Sequence, residues 1–281
     1  MSEWISEAGL SWRRLQPFGA EIRHDLSAPL STEQSDCFVR LLWENGLVLA
    51  RNQRLSMERQ QELCALAGPI LLRKGENGYL SNEGAHDASL SALSWHADAA
   101  YTEAPFDAIA LHAVDVVDDA SSTFFISAAD GLDTLAPSLR ARIEGRQAEM
   151  ISPSFEAISL RTCDTRDPTA LKRGVRPMIY RNPHNGRECI WVSELQAARV
   201  TGMGWEESRD LLHAVFDHIY QPAHVFEHRW RNGDFVIWDN IALQHMRRSL
   251  RNCGKRVLQR VIVGTEGVAP HIQQEDAVGA D

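Results

Sequence analysis

Short apolar segments that do not alternate regularly with helices constrain the fold of this chain more than any other feature. Eight of them predict β-strands, over residues 47–50, 106–117, 123–126, 178–182, 190–193, 225–230, 235–238 and 257–263. Asn185-Gly186 and Asn232-Gly233 predict two hairpins, because Asn-Gly readily adopts the two successive positive φ angles of a tight turn. The pattern predicts an α+β fold in which flanking helices cover an antiparallel barrel or jelly roll, rather than a doubly wound parallel sheet.

Three segments carry the spacing of amphipathic helices. Ser31 followed by Gln34 is a capping-box pattern, and apolar residues continue at helical spacing until Gly46 ends the run. Two further helices are predicted over residues 56–66 and 206–220, the second followed by a proline that a helix cannot readily continue through. We expect these helices to lie on the outside of the β core.

The composition is that of a globular protein, with 44% apolar and 24% charged residues in a chain of 281. No repeat divides the chain, so a single domain over residues 1–281 is predicted, with a frayed tail from about residue 268. A net charge of −9 argues against nucleic acid or an anionic membrane as a partner. The five cysteines are odd in number and never spaced as C-x-x-C, which argues against a disulfide framework or a thiolate zinc site.

The N-terminal segment lacks the basic and apolar regions of a signal peptide, and no apolar run approaches the roughly 18 residues that a membrane helix needs. A cytoplasmic location is therefore predicted. Self-association is left open, because nothing in the sequence decides the oligomeric state.

His96-Ala97-Asp98 offers an imidazole and a carboxylate to the same point, because residues two apart on a strand share a face. These are metal-ligand types, although a triplet of this kind is common enough by chance that a surface pair is the alternative. Arg256 and Arg260 share one face of the last predicted strand, about 13 Å apart, which suits two separate anions. A solvated strand face is the alternative interpretation of the two arginines.

The order and spacing of these and other residues resemble those of the taurine catabolism dioxygenase (TauD/TfdA) family, from about residue 47 to residue 263. The matching positions are residues 95–98, 111–114, 123–125, 140–145 and 233–240, together with Trp230, His245, Arg256 and Arg260. The resemblance implies a double-stranded β-helix (jelly roll) that carries an Fe(II)- and 2-oxoglutarate-dependent dioxygenase.

By the resemblance, His96, Asp98 and His245 form the catalytic metal triad, which leaves coordination positions for 2-oxoglutarate and O2. Arg256 is expected to pair with the distal carboxylate of 2-oxoglutarate, and Thr123 to add a hydroxyl donor. The implied reaction oxidises an unactivated C–H of the substrate and releases succinate and CO2. Related halogenases replace the carboxylate ligand by a small residue, so Asp98 favours hydroxylation over chlorination.

Arg260 occupies the position at which family members anchor a substrate anion, so a small anionic metabolite is the expected partner. Residues 119–122 depart from the family pattern, as do residues 71–74, where taurine enzymes carry a substrate-binding histidine. Taurine itself is therefore not favoured. Arg73 and Lys74 are further candidates for holding the anion, with a solvated loop as the alternative.

Three alternatives to hydroxylation stay open on the sequence alone. His, Asp and His with a water molecule also describe the catalytic zinc site of a hydrolase, which a β-barrel could carry. A β-barrel that binds metal without turnover is the second alternative. Within the family, desaturation or cleavage of a carbon–heteroatom bond is the third.

Overall fold

The computed structural model describes residues 2–71, 78–83, 90–152 and 173–265. The strands are β1 (Ile5–Glu7), β2 (Leu10–Arg14), β3 (Ala20–Arg23), β4 (Leu47–Ala50), β5 (Gly78–Ser81), β6 (Leu93–His96), β7 (Ala108–Val116), β8 (Ser122–Ser127), β9 (Gln147–Ile151), β10 (Arg173–Pro177), β11 (Ile179–Arg181), β12 (Glu188–Ile190), β13 (Ala197–Val200), β14 (Val225–Arg229), β15 (Phe235–Asp239), β16 (Leu243–Arg247) and β17 (Arg256–Val263). The helices are α1 (Thr32–Asn45), α2 (Met57–Ala65), α3 (Ala128–Asp133), α4 (Pro137–Ile143) and α5 (Trp205–Ile219).

Two main sheets form the β core. One has eight strands in the order β1-β2-β3-β4-β15-β7-β17-β5, and the other has four in the order β14-β8-β16-β6. Neighbouring strands in both are antiparallel except β3 and β4. The predicted α+β class with a jelly-roll core and flanking helices is confirmed.

Strand β15 shows why the strands of the larger sheet are continuously apolar. Val236 and Trp238 pack between the two sheets, whereas Phe235 and Ile237 pack on the opposite side, in the cluster that also contains the buried face of α1. Because successive side chains of a strand point to opposite faces, a strand covered on both sides must be apolar at every position. The inner layer between the sheets is the layer that contains the functional site.

The predicted helices are confirmed. The Ser31 hydroxyl accepts from the backbone N–H of Gln34, and the Gln34 side chain accepts from the backbone N–H of Ser31, so both halves of the capping box form. Gly46 ends α1 with φ of 75°, a left-handed conformation that glycine adopts at little cost. Within the described ranges, no helix is long and apolar enough to span a lipid bilayer.

Only one of the two predicted hairpins forms. Asn185-Gly186 joins β11 to β12, which pair antiparallel with Ile179 opposite Ile190. The prediction for Asn232-Gly233 is wrong, because β14 pairs with β8 in the smaller sheet while β15 pairs with β4 and β7 in the larger one.

The turn at Asn232-Gly233 therefore carries the chain from one main sheet to the other. The Asn232 side chain accepts from the backbone N–H of Val116 and donates to its carbonyl, which ties the turn to β7 instead of to its own flanking strands. Gly233 has φ of 80° and lies close to the backbone of Gln53. Long-range contacts of this kind decide the pairing, whereas Asn-Gly specifies only the local turn.

Candidate metal and cosubstrate site

His96, Asp98 and His245 come together between the two sheets. His96 ends β6 and lies directly opposite His245 on β16, and Asp98 follows in the turn after β6. Asp98 Oδ1 is 3.2 Å from His96 Nε2 and 3.7 Å from His245 Nε2. Among the described residues, this is the one group of three or more His, Cys, Asp or Glu whose ligand atoms lie within 4.8 Å of one another.

The backbone around Asp98 is held by side chains from other elements. The Asn240 side chain accepts from the Asp98 N–H and donates to the Asp98 carbonyl, each at 2.9 Å. Gln196 Nε2 donates to the carbonyl of Ala97 at 2.9 Å. Ala99 takes a left-handed conformation with φ of 58°, so this turn depends on its neighbours to keep it in place. The contacts fix the direction in which Asp98 points.

The protonation of His96 is set by its other ring nitrogen. Nδ1 lies 2.7 Å from the Ser94 carbonyl, an acceptor only, so in the neutral ring Nδ1 carries the proton and Nε2 directs its lone pair toward Asp98 Oδ1. Two electron-rich atoms at 3.2 Å repel each other unless a cation lies between them. Burial lowers the pKa of His245 to about 3, which keeps its imidazole neutral and available as a ligand. The donor set therefore fits a divalent metal ion.

A cavity of about 340 Å³ adjoins the triad. Its walls combine apolar side chains from both sheets with four residues of anion-binding type, namely Thr123, Arg247, Arg256 and Arg260. A concave, mostly apolar site with a few convergent polar groups is typical of small-molecule binding. The structure thus brings all six predicted site residues to one place.

Arg256 is only 5% exposed, and no carboxylate among the described residues pairs with its guanidinium. Its Nε also has no hydrogen-bond partner within these described residues. Burial, together with the charge of Arg247, lowers the pKa of Arg256 to about 10. A buried cation without a counterion is costly, so this side chain fits an anionic ligand in the cavity.

Thr123 has a fixed hydrogen-bonding role toward Trp230. The Trp230 indole N–H donates to Thr123 Oγ1 at 3.0 Å, and both side chains are buried. Because an indole nitrogen is a donor only, the threonine hydroxyl accepts there, and its single proton is left for an acceptor in the cavity. Thr123 is therefore arranged to donate to a ligand.

Arg260 lies four residues along β17 from Arg256, lines the same cavity and is partly exposed. Arg73 and Lys74, the alternative anion-binding candidates, lie outside the described residues, as does the predicted tail from about residue 268.

Sequence reasoning missed three contributors to the site. Asn240 and Trp230 belong to the matching pattern, but their hydrogen bonds to the Asp98 backbone and to Thr123 need the fold to be seen. Arg247 received no role. Strand alternation could have identified Arg247 as a site residue, because it is two residues beyond His245 and so shares its face.

Two histidines and a carboxylate beside a cavity in a jelly roll form the ligand set typical of non-haem Fe(II) oxygenases. Residues 11–262 match the family described as "Taurine catabolism dioxygenase TauD, TfdA family", and the chain belongs to this family. It is therefore an enzyme, a dioxygenase dependent on Fe(II), 2-oxoglutarate (alpha-ketoglutarate) and O2. The resemblance found in the sequence is confirmed, and neither a zinc hydrolase nor a non-catalytic barrel describes the protein.

Among curated relatives, "Pentalenolactone F synthase" of Streptomyces arenae is 32% identical over 88 residues, which are 31% of this chain and 29% of that protein. "Alpha-ketoglutarate-dependent 2,4-dichlorophenoxyacetate dioxygenase" of Cupriavidus pinatubonensis is 26% identical over 240 residues, covering 83% of this chain and 80% of the relative. A solved structure described as a putative alpha-ketoglutarate-dependent taurine dioxygenase from Burkholderia xenovorans is 20% identical, with a TM-score of 0.78 over 93% of this chain and 95% of its own. At this level of identity, the similarity to the solved structure shows a shared fold and nothing more.

Proposed function

We propose that this enzyme hydroxylates an unactivated C–H of a small anionic metabolite and converts 2-oxoglutarate to succinate and CO2. One observation carries the proposal. Arg256 and Arg260 lie four residues apart on β17 and line the cavity that also contains the triad. Two arginines at different positions suit two different anions, one from the cosubstrate and one from the substrate.

His96, Asp98 and His245 would hold the metal ion through His96 Nε2, an Asp98 carboxylate oxygen and a His245 ring nitrogen. When bound, Fe(II) together with 2-oxoglutarate and O2 supplies the oxidising chemistry. The protein supplies the ligands in the required protonation states, because His245 is neutral and the His96 proton is on Nδ1. Asp98 keeps a carboxylate at the position that halogenases vacate, which supports hydroxylation.

Arg256 binds the distal carboxylate of 2-oxoglutarate, since its buried guanidinium has no counterion among the described residues and offers a planar fork that matches a carboxylate. Thr123 donates its hydroxyl proton to the same carboxylate, in the orientation that Trp230 imposes from behind. These contacts remove the cost of leaving a buried cation unpaired, so the arrangement of the cavity favours cosubstrate binding.

Arg260 binds the substrate anion near the more exposed part of the cavity. Leu80, Ile109 and Leu111 contribute apolar wall, which excludes water and suits a hydrocarbon portion of the substrate. The relative from Cupriavidus pinatubonensis is named for 2,4-dichlorophenoxyacetate, an organic carboxylate, which supports an anionic substrate here. Desaturation and carbon–heteroatom cleavage begin from the same bound state, so product analysis distinguishes them from hydroxylation.

The test compares a candidate carboxylate substrate with its neutral amide analogue, with succinate formation as the readout. We expect the enzyme to prefer the carboxylate by about ten- to hundredfold, the range for one charged hydrogen bond. Arg260→Ala should lose this preference while the KM for 2-oxoglutarate changes little. If the variant still prefers the anion as strongly as the wild type does, Arg260 is not the anchor.

A further inference from the structure

Cross-strand neighbours on the four-stranded sheet form two adjacent rows on the face toward the cavity. We call the first the triad row, in which His245 lies opposite both Phe125 and His96. We call the second the Thr123 row, in which Thr123 lies between His228 on one side and Arg247 on the other. The two rows are two residues apart along β8 and β16, so their side chains on these strands share one face.

Arg247 is therefore the direct cross-strand neighbour of Thr123. Residues opposite each other on antiparallel strands have Cβ atoms roughly 4.5–5.5 Å apart, which puts the Arg247 side chain beside the threonine hydroxyl. Arg247 also lines the cavity, and its Nη1 donates to the Ser91 carbonyl at 2.7 Å. A guanidinium has five N–H donors in a planar fork, and this contact fixes the direction in which the fork of Arg247 points.

Arg247 and Arg256 approach the same end of the cavity from opposite sheets. Burial lowers the pKa of Arg256, and the charge of Arg247 adds to this lowering, so the two cations repel each other. An anion that contacts both removes this repulsion and satisfies the hydrogen bonds that Arg256 lacks.

We propose that Arg247 is a second arginine ligand of the distal carboxylate of 2-oxoglutarate, so that Arg247 and Arg256 clamp this carboxylate from two sheets with Thr123 between them. The proposal rests on the proposed cosubstrate site at Arg256 and Thr123. Under this proposal, two cations instead of one select a diacid over a 2-oxo monoacid. We therefore expect part of the selectivity to persist when either arginine is removed.

The experiment measures binding by calorimetry, on enzyme loaded with Mn(II), for two ligands of equal chain length. 2-Oxoglutarate has the distal carboxylate, and 2-oxopentanoate has a methyl group in its place. Arg247→Gln should weaken 2-oxoglutarate at least about tenfold and leave 2-oxopentanoate unchanged, and Arg247→Lys should recover part of the loss through its charge. A variant that merely disturbs the cavity would weaken both ligands, which would contradict the proposal.

Arg248→Gln is the matched control. Arg248 is adjacent in sequence, but its guanidinium lies 5.0 Å from the ring of Phe124, on the face away from the cavity, so both affinities should stay at the wild-type values. Arg256→Ala separates the two proposals. If Arg256→Ala weakens 2-oxoglutarate and Arg247→Gln does not, the second ligand is refuted while the cosubstrate site stands. If neither does, the cosubstrate site itself is refuted.

Discussion

Each residue of the triad is held by a contact that leaves its ligand atom facing the other two. His96 is oriented by the Ser94 carbonyl and Asp98 by Asn240, whereas His245 Nδ1 has no hydrogen-bond partner in the part of the chain that the structure describes. His245 is instead positioned by packing, with its ring 5.1 Å from that of Trp238 and 6.2 Å from that of Phe125. The two histidines are thus equivalent in type but differ in how the fold supports them.

Replacing either histidine by alanine should abolish succinate formation and weaken Fe(II) binding, because two remaining ligands hold a labile divalent ion poorly. Metal content after equilibrium dialysis and succinate release together check this expectation. His24→Ala is a suitable control, since His24 is not among the residues that line the cavity. Wild-type turnover in His96→Ala or His245→Ala would remove that residue from the metal site.

The hydrogen bond from Trp230 to Thr123 can be tested by a double-mutant cycle on 2-oxoglutarate affinity. Trp230→Phe should weaken 2-oxoglutarate severalfold, because the threonine hydroxyl then loses the donor that orients it. In a Thr123→Val background the same change should add almost nothing, since no hydroxyl is left to orient. Equal effects in both backgrounds would mean that Trp230 acts through packing alone.

Strand alternation suggests the pairing of His96 with Asp98 from the sequence, but the structure reaches it differently: β6 ends at His96, and a turn held by Asn240 positions Asp98. Placing His245 beside them required the family resemblance, since a contact between β6 and β16 is long-range. Arg247 was not predicted because β16 contains the polar residues Gln244 and Arg247 and so lacks the apolar pattern of a strand. Their contacts inside the protein are visible only in the fold. The side chains of a site interrupt the very apolar pattern by which its strand is recognised.

Among elements, the strands that sequence patterns locate well are those buried on both faces, such as β15 and β17. The first strand, β1, is exposed at all three positions and gives no apolar signal. The failed hairpin has a different cause. The Asn-Gly dipeptide predicts only the local turn, whereas the strand that follows pairs according to distant partners, here β4 and β7.

The two Asn-Gly turns offer a matched pair of substitutions. Gly186→Ala should cost about 1 kcal/mol, because φ is 72° but a Cβ would meet nothing within 4 Å. Gly233→Ala should cost more, by about 1–3 kcal/mol, because φ is 80° and a Cβ would lie 2.9 Å from the Gln53 carbonyl oxygen. Urea unfolding of both variants measures the difference, and equal destabilisation would show that the inter-sheet turn relaxes freely.

For the molecule as a whole, buried histidines predict how stability depends on pH. Burial lowers the pKa of His228 and of His112 below the ordinary 6.5. Asp234 opposes this shift at His228, while Arg51 and Arg231 reinforce it. The folded state therefore keeps both rings neutral where the unfolded chain takes up protons. Stability from these groups is complete above about pH 6.5 and is lost as the pH falls below it.

We expect the free energy of unfolding to be lower at pH 5.5 than at pH 7.5, with His228→Gln reducing the difference. Each such histidine contributes at most about 1.4 kcal/mol per pH unit. Asp239 works in the other direction, because burial raises its pKa to about 6, so its contribution falls as the pH rises toward that value. An unchanged pH dependence in His228→Gln would show that this ring is not the group that titrates.

The distance between the triad row and the Thr123 row on the four-stranded sheet is fixed by the backbone. Adjacent same-face positions on antiparallel strands are about 6.8 Å apart, and this interval is set by peptide geometry and not by any side chain. A ligand anchored at both the triad row and the Thr123 row must therefore have a fixed length. Substitutions in either row change how tightly each end of the ligand is held, but they leave the interval between the rows, and with it the ligand length that fits, unchanged.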